Sequence, residues 1–163
     1  MKNYICIDGK KAELTPEQLK ALGLEREMNP FERKVGQEYY YIDNRGYIAR
    51  DSEVNSEWDG NKWKAANYCT NKEMMQQRAY AETLNRLLWR YSMEHGGREI
   101  DWSNGSENKY YVYYNSKLGK WYANYITFCY EVCTPYFHTK EIAENAIKEI
   151  IEPFMAEHPD FKF

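Results

Sequence analysis

Apolar residues recur at helical spacing in two stretches of this chain and come in short alternating bursts elsewhere. The longer helical stretch is NYCTNKEMMQQRAYAETLNRLLWRYSMEHGG, residues 67–97. On a helical wheel Ala81, Leu84, Leu87, Leu88 and Tyr91 share one face, which predicts the core side. Thr70 followed by Glu73 reads as a capping box, the hydroxyl accepting from the Glu73 N–H and the carboxylate reaching back. Gly96–Gly97 closes the run with residues that tolerate a left-handed backbone. The helix this predicts, Asn71 to His95, is roughly 37 Å long at about 1.5 Å per residue. The second stretch starts at Thr139 as N-cap and repeats Ala143, Ala146, Ile147, Ile150, Ile151 and Phe154, with Pro153 expected to end or kink it.

The short bursts read as strands. Tyr4–Ile7, an Asp8–Gly9 turn and Ala12–Leu14 predict a hairpin, and Thr15–Pro16–Glu17–Gln18 opens a short helix that stops at Gly23. Residues 1–24 thus form a small hairpin–helix unit, and the charged, aperiodic 25–34 (EREMNPFERK) reads as a linker. In the main part, 35–163, Tyr39–Ile42 and Tyr47–Ala49 flank a turn, 51–61 reads as loop, and Lys62–Ala65 as a third strand. After Gly97, Tyr110–Tyr114 and Trp121–Phe128 flank a turn at 116–119, and Tyr136–Phe137 is a further short strand. The fold class is α+β: antiparallel β-meanders, each followed by a helix, over 35–97 and 109–157. Tyr68-Cys69-Thr70 and Phe137-His138-Thr139 each precede a helix at a similar distance from a Tyr-rich strand. An internal duplication and a chance likeness both account for that.

Composition sharpens this picture in three places. Sixteen tyrosines and 17% aromatic residues mark a chain rich in side chains with an apolar body and a polar tip. A net charge of −3 speaks against a general nucleic-acid binder and leaves room for a local basic patch. The start, MKNYICIDGKK, has no long apolar core of a secretory signal, and no stretch approaches a membrane span. Cys6, Cys69, Cys129 and Cys133 then read as free thiols of a reducing cytoplasm.

Candidate chemistry is sparse. Cys129 and Cys133 with His138 and Cys69 approximate a zinc set at a spacing that is not a knuckle, so ordinary thiols are the reading and no cofactor or metal is expected. Nucleophile-elbow, phosphate-loop and dinucleotide-binding motifs are absent from the sequence, and no catalytic residue is assigned. Two surfaces stand out instead. Met75, Ala79, Trp89 and Met93 fall opposite the Leu face of the long helix, beside Arg78, Arg86 and Arg90. Apart from Ala79, these are the residue types of an interface, and Met75, Arg78, Arg86, Trp89, Arg90 and Met93 are the candidate partner-binding set. Trp63, Tyr111, Tyr113, Trp121 and Tyr125 are the candidate aromatic surface, able to stack nucleobases or to meet a protein.

The segments CIDGKKAELTPEQLKAL, NPFERKVGQEYYYIDNRGYI, ANYCTNKEMMQQRAYAETLNRLLWRYSMEHGG and YFHTKEIAENAIKEIIEPFMAEHPDF span nearly the whole chain. In them the chain resembles a family of small proteins encoded by phages and prophages of Firmicutes. The motifs carry no catalytic signature, so the resemblance transfers no active-site residue. What it implies is a setting: accessory phage genes of this size often act against host defence. The expectation is a non-enzymatic protein of the host cytoplasm that inhibits a bacterial defence system, as anti-CRISPR proteins do, by binding a defence protein or effector complex. A sponge for a nucleotide immune signal and a phage nucleic-acid-binding protein are the alternatives, and a homodimer is left open.

Overall fold

The computed structural model describes residues 4–7, 10–22 and 29–162. The Asp8–Gly9 turn, the Gly23 stop and the 25–28 part of the expected linker lie outside the described residues. In the N-terminal unit, β1 (Tyr4–Ile7) pairs antiparallel with β2 (Lys10–Glu13), and α1 (Pro16–Ala21) follows. The Thr15 hydroxyl accepts from the Gln18 N–H at 3.3 Å and the Gln18 side chain accepts from the Thr15 N–H at 2.8 Å. This is the reciprocal cap that the Thr-Pro-Glu-Gln order predicts. Residues 29–34 are tied to the main body. The Pro30 carbonyl accepts from Thr70, the Phe31 carbonyl accepts from the Trp63 indole at 2.9 Å, and Arg33 forms a two-pronged pair with Glu53 at 2.7 and 2.8 Å.

In the main part, β3 (Glu38–Ile42) and β4 (Ile48–Ser52) form a hairpin whose turn is held by the Asp43 carboxylate, which accepts from the Arg45 and Tyr47 N–H groups. Of the expected loop 51–61 and third strand 62–65, residues 57–64 are in fact α2 (Glu57–Lys64), and Asp51–Ser52 belong to β4. Lys62-Trp63-Lys64 alternates like a strand, but Ser56 and Asp59 form a capping box (3.2 and 3.0 Å) that starts a helix upstream of it. Asp59 and Lys62 are then buried on one helix face, three residues apart. The hairpin's third member is a single bridge: Cys69 exchanges both main-chain bonds with Tyr40, at 2.7 and 3.0 Å. The Asn67 amide extends that pairing by bonding both the N–H and the carbonyl of Ile42.

Next comes α3 (Lys72–Glu94). Its cap is Asn71, whose side chain accepts from the Met74 N–H at 3.0 Å, and not Thr70. Thr70 is engaged elsewhere: its N–H and hydroxyl both donate to the Pro30 carbonyl, at 2.8 and 3.2 Å. At the other end Gly96 takes φ +85°, and a Cβ on Gly97 would run into Ser92, so the paired glycines are required by backbone sign and by space.

The second half repeats the arrangement. β5 (Lys109–Asn115) and β6 (Lys120–Ile126) pair, Phe137 exchanges main-chain bonds with Tyr110 at 2.7 and 3.0 Å, and Thr139 caps α4 (Lys140–Ala146). The bridging residue precedes the N-cap by two in both halves, so Tyr68-Cys69-Thr70-Asn71 matches Tyr136-Phe137-His138-Thr139, one residue from the sequence alignment. Pro153 does not end the helix. A π turn over Ile147–Ile151 passes the Glu152 N–H to the Ile147 carbonyl, and α5 (Glu152–Glu157) carries Pro153 within its first turn. Widening the helix there relieves the clash of the Pro ring with the preceding turn and the loss of its N–H. The fold class is α+β, with antiparallel hairpins followed by helices and with hairpins plus a bridge in place of full meanders.

The core has two parts, and α3 supplies both. Met75 and Ala79 pack with Ile42 and Cys69, flanked by Tyr40 and Ile48. Leu84, Leu88 and Tyr91 pack with Phe137, Ala143, Ala146, Ile151, Phe154 and Phe161. Met75 and Ala79 are therefore core residues, while Ala81 from the expected core face is exposed. The wheel fails because the β3–β4 hairpin covers one side of the helix, while Phe137 and the C-terminal helical segment cover another. The cap assignment predicts that Asn71→Ala lowers stability by about 1 kcal/mol in urea unfolding, whereas Glu73→Ala changes it by less than about 0.5 kcal/mol. A capping box on Thr70 would reverse that order.

Candidate functional site

Of the six residues expected to bind a partner, the structure keeps only part at the surface. Met75 is 1% exposed and Arg78 is half-buried, its Nε paired with Glu82 at 2.6 Å and its Nη1 donating to the Ala66 carbonyl. Both serve the fold. Arg86 and Arg90 are exposed, Met93 is half-buried, and Trp89 is 57% exposed. The surface is thus confined to the last turns of α3.

The five aromatic residues do not make one row. Trp63 lies on α2, far along the chain from β5 and β6, and its indole is bonded to Phe31. Residues directly opposite in an antiparallel pair share a face. The register sets Tyr113 against Tyr122 and Tyr114 against Trp121, so Tyr111 and Tyr113 share a face with Tyr122. Trp121 lies on the other face, packed against the core with Tyr110, Val112 and Ala123. Tyr125, opposite Tyr110, belongs to that inner face too and is exposed at the hairpin's end.

What the outer face does is lead into a site. Ring centroids step from Tyr122 to Tyr113 at 6.0 Å, to Tyr111 at 6.2 Å, to Tyr136 at 6.1 Å and to Trp102 at 4.9 Å. Trp102 meets Tyr130 edge-on at 5.4 Å. There a cavity of about 520 Å³ opens, with Trp89 and Asn85 of α3 on one side and Trp102, Tyr130, Pro135 and Tyr136 among the others.

The loop 127–135 that walls this cavity is anchored at its base and apolar at its tip. Asn85 donates to the Cys133 carbonyl at 2.7 Å, and the buried Tyr136 hydroxyl accepts from the Glu131 N–H at 2.8 Å. Cys133 takes φ +66°, a conformation disfavoured for a side-chain-bearing residue, and the Asn85 bond helps hold it. From that base Phe128 and Val132 project, 87% and 83% exposed, with Tyr130 between them. Gly105 sits beneath the Phe128 ring, where a Cβ would clash with it. Sequence reasoning missed this loop as a site. Its signal was three large apolar residues at alternate positions beside a Thr-Pro break.

Trp102 is positioned by a residue the sequence did not single out. Lys109 is fully buried at the start of β5, and its ammonium donates to the Asn104 and Glu107 carbonyls, closing the 101–108 loop around itself. The Trp102 ring lies 5.9 Å from that ammonium.

A second polar cluster is internal. The Asp59 carboxylate accepts from the Tyr39 hydroxyl at 2.7 Å, from the Ser56 hydroxyl at 2.7 Å and from the Ser56 and Val54 N–H groups. Lys62 donates to Tyr39 at 3.0 Å and sits 3.5 Å from the Tyr41 ring centre. Every oxygen of Asp59 is already bonded, so the cluster ties α2 to β3 and offers no free group for chemistry. Cys129 and Cys133 are exposed and Cys69 is buried, its thiol pushed up by burial. Among the described residues no three His, Cys, Asp or Glu side chains gather as a metal site, and no helix is long and apolar enough to cross a membrane.

Comparison with protein-family models, curated proteins and solved structures finds no match to this chain. The site is therefore read from its own geometry.

The Tyr39 hydroxyl bond holds Asp59 well below the usual carboxylate range, against the burial that acts the other way, and the Ser56 and Val54 bonds add to it. A depressed carboxyl contributes stability that is complete above its unfolded value, about 3.9, and is lost as pH falls below it. Asp59→Asn is expected to be less stable than the parent at neutral pH, with the gap narrowing below about pH 4 in urea unfolding. An equal gap at neutral and acid pH contradicts the bonding described.

Proposed function

We propose that this protein is a non-catalytic inhibitor that works by binding. It docks on a protein through the anchored apolar loop 127–135 and the Trp89 surface beside it. The partner, in the phage setting that the sequence resemblance implies, is a bacterial defence protein or effector complex.

The observation that carries this reading is the loop itself. Phe128, Tyr130 and Val132 stand exposed on a backbone fixed by Asn85 and Tyr136. Large apolar side chains held in water by a rigid base make a surface that gains free energy when covered. The bonds at Glu131 and Cys133 hold the backbone on either side of Val132, and freedom already lost before docking favours affinity. Trp89, Trp102 and Tyr130 are residue types that dominate binding energy, and Arg86 and Arg90 supply a charged rim. The buried polar groups, in contrast, are spent on helix starts and loops.

The test is phage infection of a Firmicutes host carrying an active CRISPR effector, together with pull-down of the purified effector. The protein is expected to restore plaque formation and to co-purify with the effector. Val132→Asp with Tyr130→Ala is expected to weaken the complex by about 2 kcal/mol or more, near 30-fold, with an unchanged melting temperature. Failure to protect phage and to bind across a panel of defence proteins overturns the reading, as does full activity of the loop variant.

A further inference from the structure

A groove on the other side of Trp89 gathers positive charge that the fold pairs only at Arg45. Arg86 and Arg90 are one turn apart on α3, an arrangement in which like charges repel. The acid one turn before Arg86, Glu82, is taken by Arg78 at 2.6 Å. Among the described residues neither Arg86 nor Arg90 has an ion-pair partner.

The β3–β4 turn brings a third guanidinium to the same place. Arg45 is fixed by Asp43 through Nε and Nη2, at 3.0 and 2.8 Å, which leaves Nη1 outside that pair. The neighbouring Gly46, at φ +90°, lets the turn approach the helix, and a Cβ there would stand 3.1 Å from Arg86 Nη2. Arg86 is oriented by Thr83, whose hydroxyl accepts from Nη2 at 3.2 Å. The groove so formed is about 530 Å³ and runs from Arg45 past Leu87 to Trp89 and Arg90. It continues through Arg45, Thr83 and Leu87 into a cavity of about 590 Å³ that adds Tyr47, Lys72 and the acid Glu157. In a chain of net charge −3, three arginines and a lysine thus line the two cavities with one carboxylate, Glu157, and Asp43 is bound to Arg45.

Guanidinium forks match phosphate oxygens in pairs. Exposed rings stand at both ends of the line, Tyr47 beside Arg45 and Trp89 beside Arg90. Bases stack on such rings whatever their identity. We propose that this groove binds a phosphodiester-linked pair of nucleotides, with Arg45, Arg86 and Arg90 on the phosphates and Tyr47 and Trp89 under the two bases. That chemistry is supplied either by a cyclic dinucleotide or by a short single strand. The groove shares Trp89, Arg86 and Arg90 with the surface beside the loop 127–135, whereas Arg45 and Tyr47 belong to the groove alone, so Arg45→Ala separates nucleotide binding from docking through the loop.

The experiment is calorimetry and fluorescence titration of the purified protein with cyclic diadenylate, cyclic diguanylate and a mixed-sequence single-stranded oligonucleotide. At least one is expected to bind with a micromolar Kd that weakens with salt, and the tighter arm names the source. Arg86→Ala with Arg90→Ala is expected to lose at least about tenfold in affinity, as is Arg45→Ala from the other wall, with melting unchanged because all three side chains are exposed. Tyr47→Ala and Trp89→Ala are expected to weaken binding without removing the salt dependence. Absence of binding by all three probes up to about 1 mM overturns the proposal, and so does unchanged affinity in the arginine variants.

Discussion

One helix has to fill two cores. The N-terminal part of α3 gives Met75 and Ala79 to the β3–β4 hairpin, and its C-terminal part gives Leu84, Leu88 and Tyr91 to the second half. Neither hairpin has a third full strand to bury its inner face, and a two-stranded hairpin alone is marginal in water. Each half therefore depends on the helix that follows it and on the single bridge that joins hairpin to helix start, Tyr40 to Cys69 and Tyr110 to Phe137. The buried side rotates along α3, from Met75 and Ala79 to Leu84, Leu88 and Tyr91, and leaves an outer side open in its last turns. That is where Arg86, Trp89 and Arg90 stand, and the two proposed binding surfaces meet there.

Polar groups inside the molecule are used to hold loops. Asp59 caps α2 and binds Tyr39, Glu53 receives the Arg33 fork, and the Lys109 ammonium collects carbonyls of the 101–108 loop. A buried charge is costly unless its bonds are satisfied, and these have multiple partners. The result is rigid support for the side chains at the surface. Lys109 fixes the loop that carries Trp102, and Asn85 with Tyr136 fixes the loop that carries Phe128, Tyr130 and Val132. The molecule thus holds apolar and cationic groups in place, which suits recognition.

Caps and periodicity made much of the fold legible in the sequence. Thr15 and Thr139 cap the helices they were expected to cap, the hairpin strands fall close to their expected positions, and α3 runs one residue short of its expected ends. The failures have local causes. Lys62-Trp63-Lys64 alternates like a strand, and the Ser56–Asp59 box that overrules it lies in a polar stretch read as loop. Thr70 and Asn71 are adjacent cap residues, and only the distant Pro30 carbonyl decides between them. Met75 looked like surface because a wheel assumes one buried face. Of the residues the sequence puts forward for a partner, Trp89, Arg86 and Arg90 are exposed. The 127–135 loop and Lys109 were not singled out, since their roles come from contacts across long separations.

The central claim is that α3 buries one side, with Met75 and Ala79, in its first half and another, with Leu84, Leu88 and Tyr91, in its second, which leaves Trp89 at the surface. Paired thermal and urea unfolding of Met75→Ala and Trp89→Ala tests it most directly. The account predicts a loss of about 2–5 kcal/mol for Met75→Ala, as for a core side chain, and less than about 1 kcal/mol for Trp89→Ala. A stable Met75→Ala with an unfolded Trp89→Ala would contradict it, placing the core where the binding surface is assigned.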